Sequence, residues 1–205
     1  MFTNRKFTKS PVNVTAGKKL ASDSLKGRVF ESNLGDLSGI NPYKKIKLII
    51  DDASETRTKV ALTNFYGMDT TKDHLCSLIR KWHTLIEATV DAKTSDGFLM
   101  RFFPIAFTKR GERQLQATTY AKRSQIKMIR RKMAEVITKT VSKNTLKDLV
   151  DMLIHEKIPI EITKQAKKIF PINNCIIRKV KTIKRPRFDS KYLLTYSFST
   201  FKHAI

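Results

Sequence analysis

The sequence predicts an α+β fold: an N-terminal antiparallel or mixed β-sheet, or partial barrel, with one packed helix, then a helical C-terminal part with a final strand. Three observations carry this. Around Ser95, Asp96 and Gly97, one arm (86–93) alternates apolar and polar residues and the other (98–107) is apolar on both faces, the pattern of a hairpin whose return strand is central. In residues 118–137, Ile126, Ile129, Met133 and then Val136 or Ile137 recur at three and four, the stripe of an amphipathic helix. Residues 175–183 return to alternation, with basic and apolar positions taking turns.

Taken in order, residues 1–24 are polar, basic and aperiodic, and are expected to form an extended arm. Strands are expected at 27–34 and 45–50, where Ile46, Leu48 and Ile50 share a face. Residues 51–55 (DDASE) suggest a turn before a strand through Val60 and Leu62. A helix over 73–85 would place Leu75, Leu78, Ile79 and Trp82 on one face. Pro104 in the return strand predicts a bulge or bend. Two short helices follow the long one, at 145–154 (capped by Asn144) and 159–169 (stopped by Pro171). The division expected is arm (1–24), β-rich scaffold (25–117), basic α+β part (118–188) and tail (189–205).

Charge points to the partner. Lys and Arg number 41 against 18 Asp and Glu, a formal +23 on 205 residues. Such self-repulsion does nothing for a free domain and fits a polyanion. The excess is uneven: +6 over 1–68, +2 over 69–117 and +15 over 118–205. On the long helix, Lys122, Arg123, Lys127, Arg130, Arg131 and Lys132 surround the apolar stripe with little acid between them. A solvated helix normally mixes signs, because like charges four apart repel. Phosphates are the economical counter-charge, and RNA of defined shape fits better than a DNA groove, since dimerising heptads, zinc spacing and a helix-turn-helix pair are lacking. The basic run through Arg178, Lys179, Lys181, Lys184, Arg185 and Arg187 reads either as an RNA contact or as a solvated edge strand protected by lysine. Trp82 suits a core position better than a base stack, and NFYGMD at 64–69 suits a structural turn better than an RNA platform.

Apolar runs are only a few residues long, so no membrane span or signal peptide is expected. Cys76 and Cys175 fit free thiols of a reducing compartment. His74, His83, His155 and His203 lack partners at metal-ligand spacing. Asp51 and Asp52 are the remaining candidates for a metal-dependent nuclease, yet adjacent carboxylates in a strand face opposite ways. With no phosphate loop or nucleophile elbow, neither an enzyme nor a cofactor is expected.

Several phrases, in order, resemble one family: ASDSLKGRVFE (21–31), LTNFYGMD (62–69), LIRKWHTLIEA (78–88), KTSDG (93–97), QIKMIRRKM (125–133), IRKVK (177–181) and PRFD (186–189). They are similar to the eukaryotic and archaeal small-subunit ribosomal proteins of the eS-one (S-three-a) family, collinearly from about residue 12 to about residue 190. The resemblance implies a structural protein of the small-subunit platform, bound to small-subunit rRNA near the messenger exit. It also implies neighbouring ribosomal proteins, initiation factors close by, a cytoplasmic location and, in a eukaryote, a nuclear or nucleolar assembly stage. Eukaryotic members usually carry a longer basic arm and an acidic or mixed tail, where this chain has YLLTYSFS at 192–199, so it looks like a compacted member. The rRNA contacts carried over are Arg80, Lys81, Gln125 with the basic residues to Lys132, and Arg178 to Lys181; charge alone adds Lys109, Arg110, Lys122, Arg123, Lys184, Arg185 and Arg187. An extra-ribosomal RNA-binding or pre-ribosome processing factor is the rival reading.

Overall fold

A computed structural model describes residues 5–6, 21–54, 60–112 and 114–186. Its framework is one eight-stranded sheet with every pairing antiparallel: β1 (Arg5–Lys6), β2 (Val29–Asn33), β3 (Lys44–Ser54), β4 (Val60–Thr70), β5 (Leu85–Glu87), β6 (Val90–Lys93), β7 (Leu99–Thr108) and β8 (Ile172–Lys184). The order is β2-β3-β4-β8-β7-β5, with β1 on β4 and β6 on β7. Helices α1 (Ala21–Leu25), α2 (Leu34–Ser38) and α3 (Lys72–Leu78) belong to the sheet half, and α4 (Arg123–Lys143), α5 (Leu146–Ile154) and α6 (Lys157–Ala166) form the helical part. The α+β architecture is thus the one the patterns predict.

The final strand does more than close the chain. β8 lies between β4 and β7, so residues from both ends of the sequence share one core. Its ladder with β4 pairs Gly67↔Lys181, Met68↔Val180 and Asp69↔Lys179, and Thr70 Oγ1 donates to Arg178 O at 3.0 Å. Gly67 permits that approach: a Cβ there would sit 2.7 Å from the Val180 carbonyl oxygen.

On one sheet face, Leu48, Met68, Met100, Phe102 and Val180 pack with Ile129, Met133 and Ile137 of α4 and with Leu149, Leu153, Ile158 and Ile162 of α5 and α6. The apolar stripe expected on the long helix is this buried seam. A smaller cluster, Ile105, Phe107 and Ile176 with Leu75 and Leu78 of α3, covers one end of the other face. Since Ala106 belongs to the main cluster, Ile105 and Phe107 point oppositely by the period of two.

Polar ties lock the helical part to the sheet. Lys44 is 3 % exposed; its Nζ lies 2.7 Å from Glu156 and donates to Leu153 O at 3.0 Å. Tyr43 Oη donates to Glu156 at 2.9 Å, and Asn41 Nδ2 to Ile154 O at 2.7 Å. At the other end of the layer, the Asp96 carboxylate in the β6–β7 turn accepts from Leu146 N at 2.7 Å, capping α5.

Several expected boundaries move. The turn at 51–55 is strand as far as Ser54, because Asp52, Ala53 and Ser54 pair with Leu62, Ala61 and Val60 of β4; at the surface Asp51 meets Arg185 and Asp52 meets Lys26. The 64–69 turn is the heart of β4, where pairing overrides turn chemistry. The 73–85 helix stops at Leu78, which leaves Trp82 57 % exposed instead of in the core. Residues 86–93 form two short strands, and 118–122 precede α4. Asn144 closes α4, while Thr145 caps α5 by accepting from Asp148 N at 3.3 Å. Residues 21–24 of the expected arm are helical; most of the rest of the arm, Arg187 and the tail lie outside the described residues.

Candidate nucleic-acid interface

Strand register builds the site. Across the sheet face opposite the main core runs the row Glu31, Lys47, Gly67, Lys181, Arg101, Asp91, one residue from each of β2, β3, β4, β8, β7 and β6. The next row holds Lys45, Asp69, Lys179 and Phe103. The helix-facing neighbours Met68, Phe102 and Val180 are buried, so alternation turns these charges outward.

The outer members of the first row are neutralised in pairs. Lys47 meets Glu31 at 2.8 Å, which raises the ammonium pKa and lowers that of the carboxyl. Arg101 grips Asp91 with two hydrogen bonds, 2.6 Å from Nε and 2.7 Å from Nη2, which holds the carboxyl below its usual range. Between them the exposed Lys181 has no carboxylate among the described residues; its Nζ lies 5.9 Å from the centroid of the half-exposed Phe103 ring. In the second row Lys179 pairs with Asp69 at 3.0 Å.

A β-bulge brings the long helix into this surface. Phe103 pairs with Lys179 but Pro104 pairs with Ile177, so Arg178 is the extra residue and both it and Lys179 reach the open face. The bend expected at Pro104 is this bulge. Arg178 lies 3.9 Å from Glu87, whose carbonyl accepts from Arg130 Nε of α4 at 2.9 Å. Arg130, Arg178, Glu87, Thr89, Phe103 and Pro104 line a cavity of about 310 Å³. The two guanidinium groups share this hollow with the Glu87 carboxylate, so one net positive charge remains to meet a phosphate beside the Phe103 ring. Lys127 and Arg131 on α4 are also exposed, whereas Lys132 is bound to Glu135 at 2.6 Å.

The remaining candidates separate. Arg80, Lys81, Lys122 and Arg123 are exposed around the loop after α3 and the start of α4, near the Thr108 end of β7. Gln125 caps α4, its side-chain oxygen accepting from Lys122 N at 2.9 Å. Arg110 donates to Gln114 O and Leu115 O, and with Lys109 borders an open hollow of about 840 Å³ against Thr163 of α6 and Lys167 just past its end. Arg185 binds Asp51 at 3.1 Å and lies over the Tyr66 ring at 5.6 Å, with Lys184 exposed beside it. Lys45, Lys47, Arg101 and Phe103 escaped the sequence reading. A signal was present: lysines at 45 and 47 alternate with Ile46 and Leu48, and Arg101 interrupts an apolar strand.

Among the described residues, three or more His, Cys, Asp or Glu side chains nowhere gather as a metal site. In the same residues no helix is long and apolar enough to cross a membrane.

The model of the Ribosomal S3Ae family matches residues 1–186. The chain belongs to that family. A relative, small ribosomal subunit protein eS1 of Artemia franciscana, is 48 % identical over 198 residues, covering 95 % of this chain and 73 % of its own length. The matched span takes in both strand rows, the Arg178 bulge and all of α4. Membership of a ribosomal protein family accounts for a charge excess that the fold itself does not neutralise.

Proposed function

We propose that this S3Ae-family chain is a structural constituent of the cytosolic small ribosomal subunit, docking on small-subunit rRNA through its open sheet face and the exposed side of α4. The observation that carries the RNA mode is the bulge at Arg178. It sets one strand guanidinium beside the helix guanidinium of Arg130, with unneutralised Lys181 further along the same strand. The Lys47–Glu31 and Arg101–Asp91 pairs hold the flanking cations in place before any RNA arrives, so less side-chain freedom is lost on docking. Contacts of this kind fix position and shape on a phosphate backbone and read little sequence.

The role is charge neutralisation and placement, without catalysis or cofactor. Neighbouring small-subunit proteins complete its surroundings on the platform near the messenger exit, with initiation factors within reach, and assembly begins in the nucleus or nucleolus if the host is a eukaryote. Because binding offsets the self-repulsion of +23, the fold is more stable in the particle than free.

The test is a high-salt sucrose gradient of cell lysate, with this chain quantified against a core small-subunit protein. One-to-one co-migration with mature subunits is expected. A chain that washed off, or followed precursors alone, would instead be an extra-ribosomal or processing factor.

A further inference from the structure

Trp82, the chain's single tryptophan, is 57 % exposed and sits at φ 69°, a backbone conformation bulky L residues rarely adopt. The surroundings impose it. Its carbonyl accepts from Thr119 N at 2.8 Å and from Thr119 Oγ1 at 2.9 Å. Thr119 is 1 % exposed, and its own carbonyl accepts from the equally buried Thr108 Oγ1 at 2.6 Å. Ala121 N donates to Thr84 Oγ1 at 3.1 Å, closing the far side of the clamp. The strain thus lies in the Trp82 backbone, fixed by hydrogen bonds from a buried threonine to its carbonyl, while the indole itself is left exposed.

His83 and Thr119 pair as a parallel bridge, and Thr119 is turned inward. Trp82 precedes His83 and Tyr120 follows Thr119 in the bridged segments, and both rings are exposed, Trp82 at 57 % and Tyr120 at 59 %. Arg80, Lys81, Lys122 and Arg123, all exposed, flank the two rings in sequence. An apolar protein surface covering the rings would have to desolvate that cluster of like charge. An unpaired RNA strand brings phosphates for the cations and base faces for the rings.

We propose that Trp82 and Tyr120 form a stacking platform for unpaired bases of a single-stranded RNA segment, whose phosphates are held by Arg80, Lys81, Lys122 and Arg123. This rests on the reading of the chain as RNA-binding, and it assigns single strands to a place separate from the sheet face around Lys181.

The lone tryptophan makes the site its own reporter. Full-length chain is titrated with labelled oligouridine and, separately, with a short labelled RNA duplex, following RNA anisotropy and tryptophan emission together. Oligouridine is expected to quench Trp82 in step with the anisotropy. By anisotropy, Trp82→Ala should weaken oligouridine binding about 5- to 100-fold with duplex binding unchanged, and Trp82→Phe should keep most of the affinity. Arg178→Glu with Lys181→Glu should do the reverse, weakening duplex far more than oligouridine. Oligouridine binding without quenching, or equal affinity in Trp82→Ala, would overturn the platform while leaving the sheet-face reading intact. Quenching by a neighbouring ribosomal protein and not by RNA would give the patch to a protein and overturn it too. Failure of the wild-type chain to bind either RNA would overturn the RNA reading itself.

Discussion

Lys44 and Lys181 show how differently one residue type is used. Lys44 is enclosed with Glu156, Leu153 O and Tyr43, and desolvation lowers its pKa despite the carboxylate. Removing the partner charge strands it. Glu156→Gln should cost about 3 kcal/mol of stability, read as a lowered denaturation midpoint, since an unpaired buried ammonium is among the costlier defects. Tyr43, pushed up to about 12 by burial first and then by Glu156, gives a pH signature. Above its ordinary value of 10 the unfolded chain releases a proton that the folded chain keeps, so stability falls as pH rises from about 10 towards 12. Tyr43→Phe should flatten that fall in alkaline unfolding curves; an unchanged slope would remove Tyr43 as its source. Lys181, by contrast, stands exposed between two ion pairs that already use their own carboxylates. Such residue roles were poorly legible in sequence. Lys44 and Lys45 are adjacent and alike on paper, and only register decides that one is buried and the other faces out.

At the scale of elements, patterns were read correctly where one periodicity ran unopposed. The stripe of α4 and the alternation of β8 came through because burial on one face dictates them. Residues 64–69 misled for a physical reason: Asn, Gly and Asp favour turns locally, but β4 is paired on both sides and Gly67 is needed for close approach, not for a bend. Gly67→Ala should therefore destabilise by about 1–3 kcal/mol through forced separation of β4 and β8, despite the small change in side chain. Thermal unfolding measures it, and a neutral result would mean that the strands part without cost. The cap on α5 is equally remote in sequence. Asp96→Ala should lose about 1 kcal/mol by freeing Leu146 N, although the two residues are 50 apart. Trp82 was misplaced because the helical spacing of Leu75, Leu78 and Trp82 continues past Leu78, where the backbone leaves the helix.

For the whole molecule, composition pointed to a polyanion and the family phrases to a ribosomal protein, but neither could show that β8 enters mid-sheet. That crossing makes the last third of the chain both core and surface: Val180 is buried while Arg178 and Lys181 face out. It also means that the scaffold and the basic part share one hydrophobic core, so neither is expected to fold well without the other. The electrostatic mode predicts steep salt dependence in RNA binding, with the log–log slope falling by about one for each phosphate-contacting cation removed.

The most direct test is incorporation of charge-reversed chains into small subunits in cells. Arg178→Glu with Lys181→Glu should strongly reduce the amount that co-migrates with mature subunits, while Lys157→Glu with Lys164→Glu, exposed on α6 away from the open face, should incorporate close to wild type. Equal incorporation of the two pairs, both variants being folded, would contradict docking through the open sheet face.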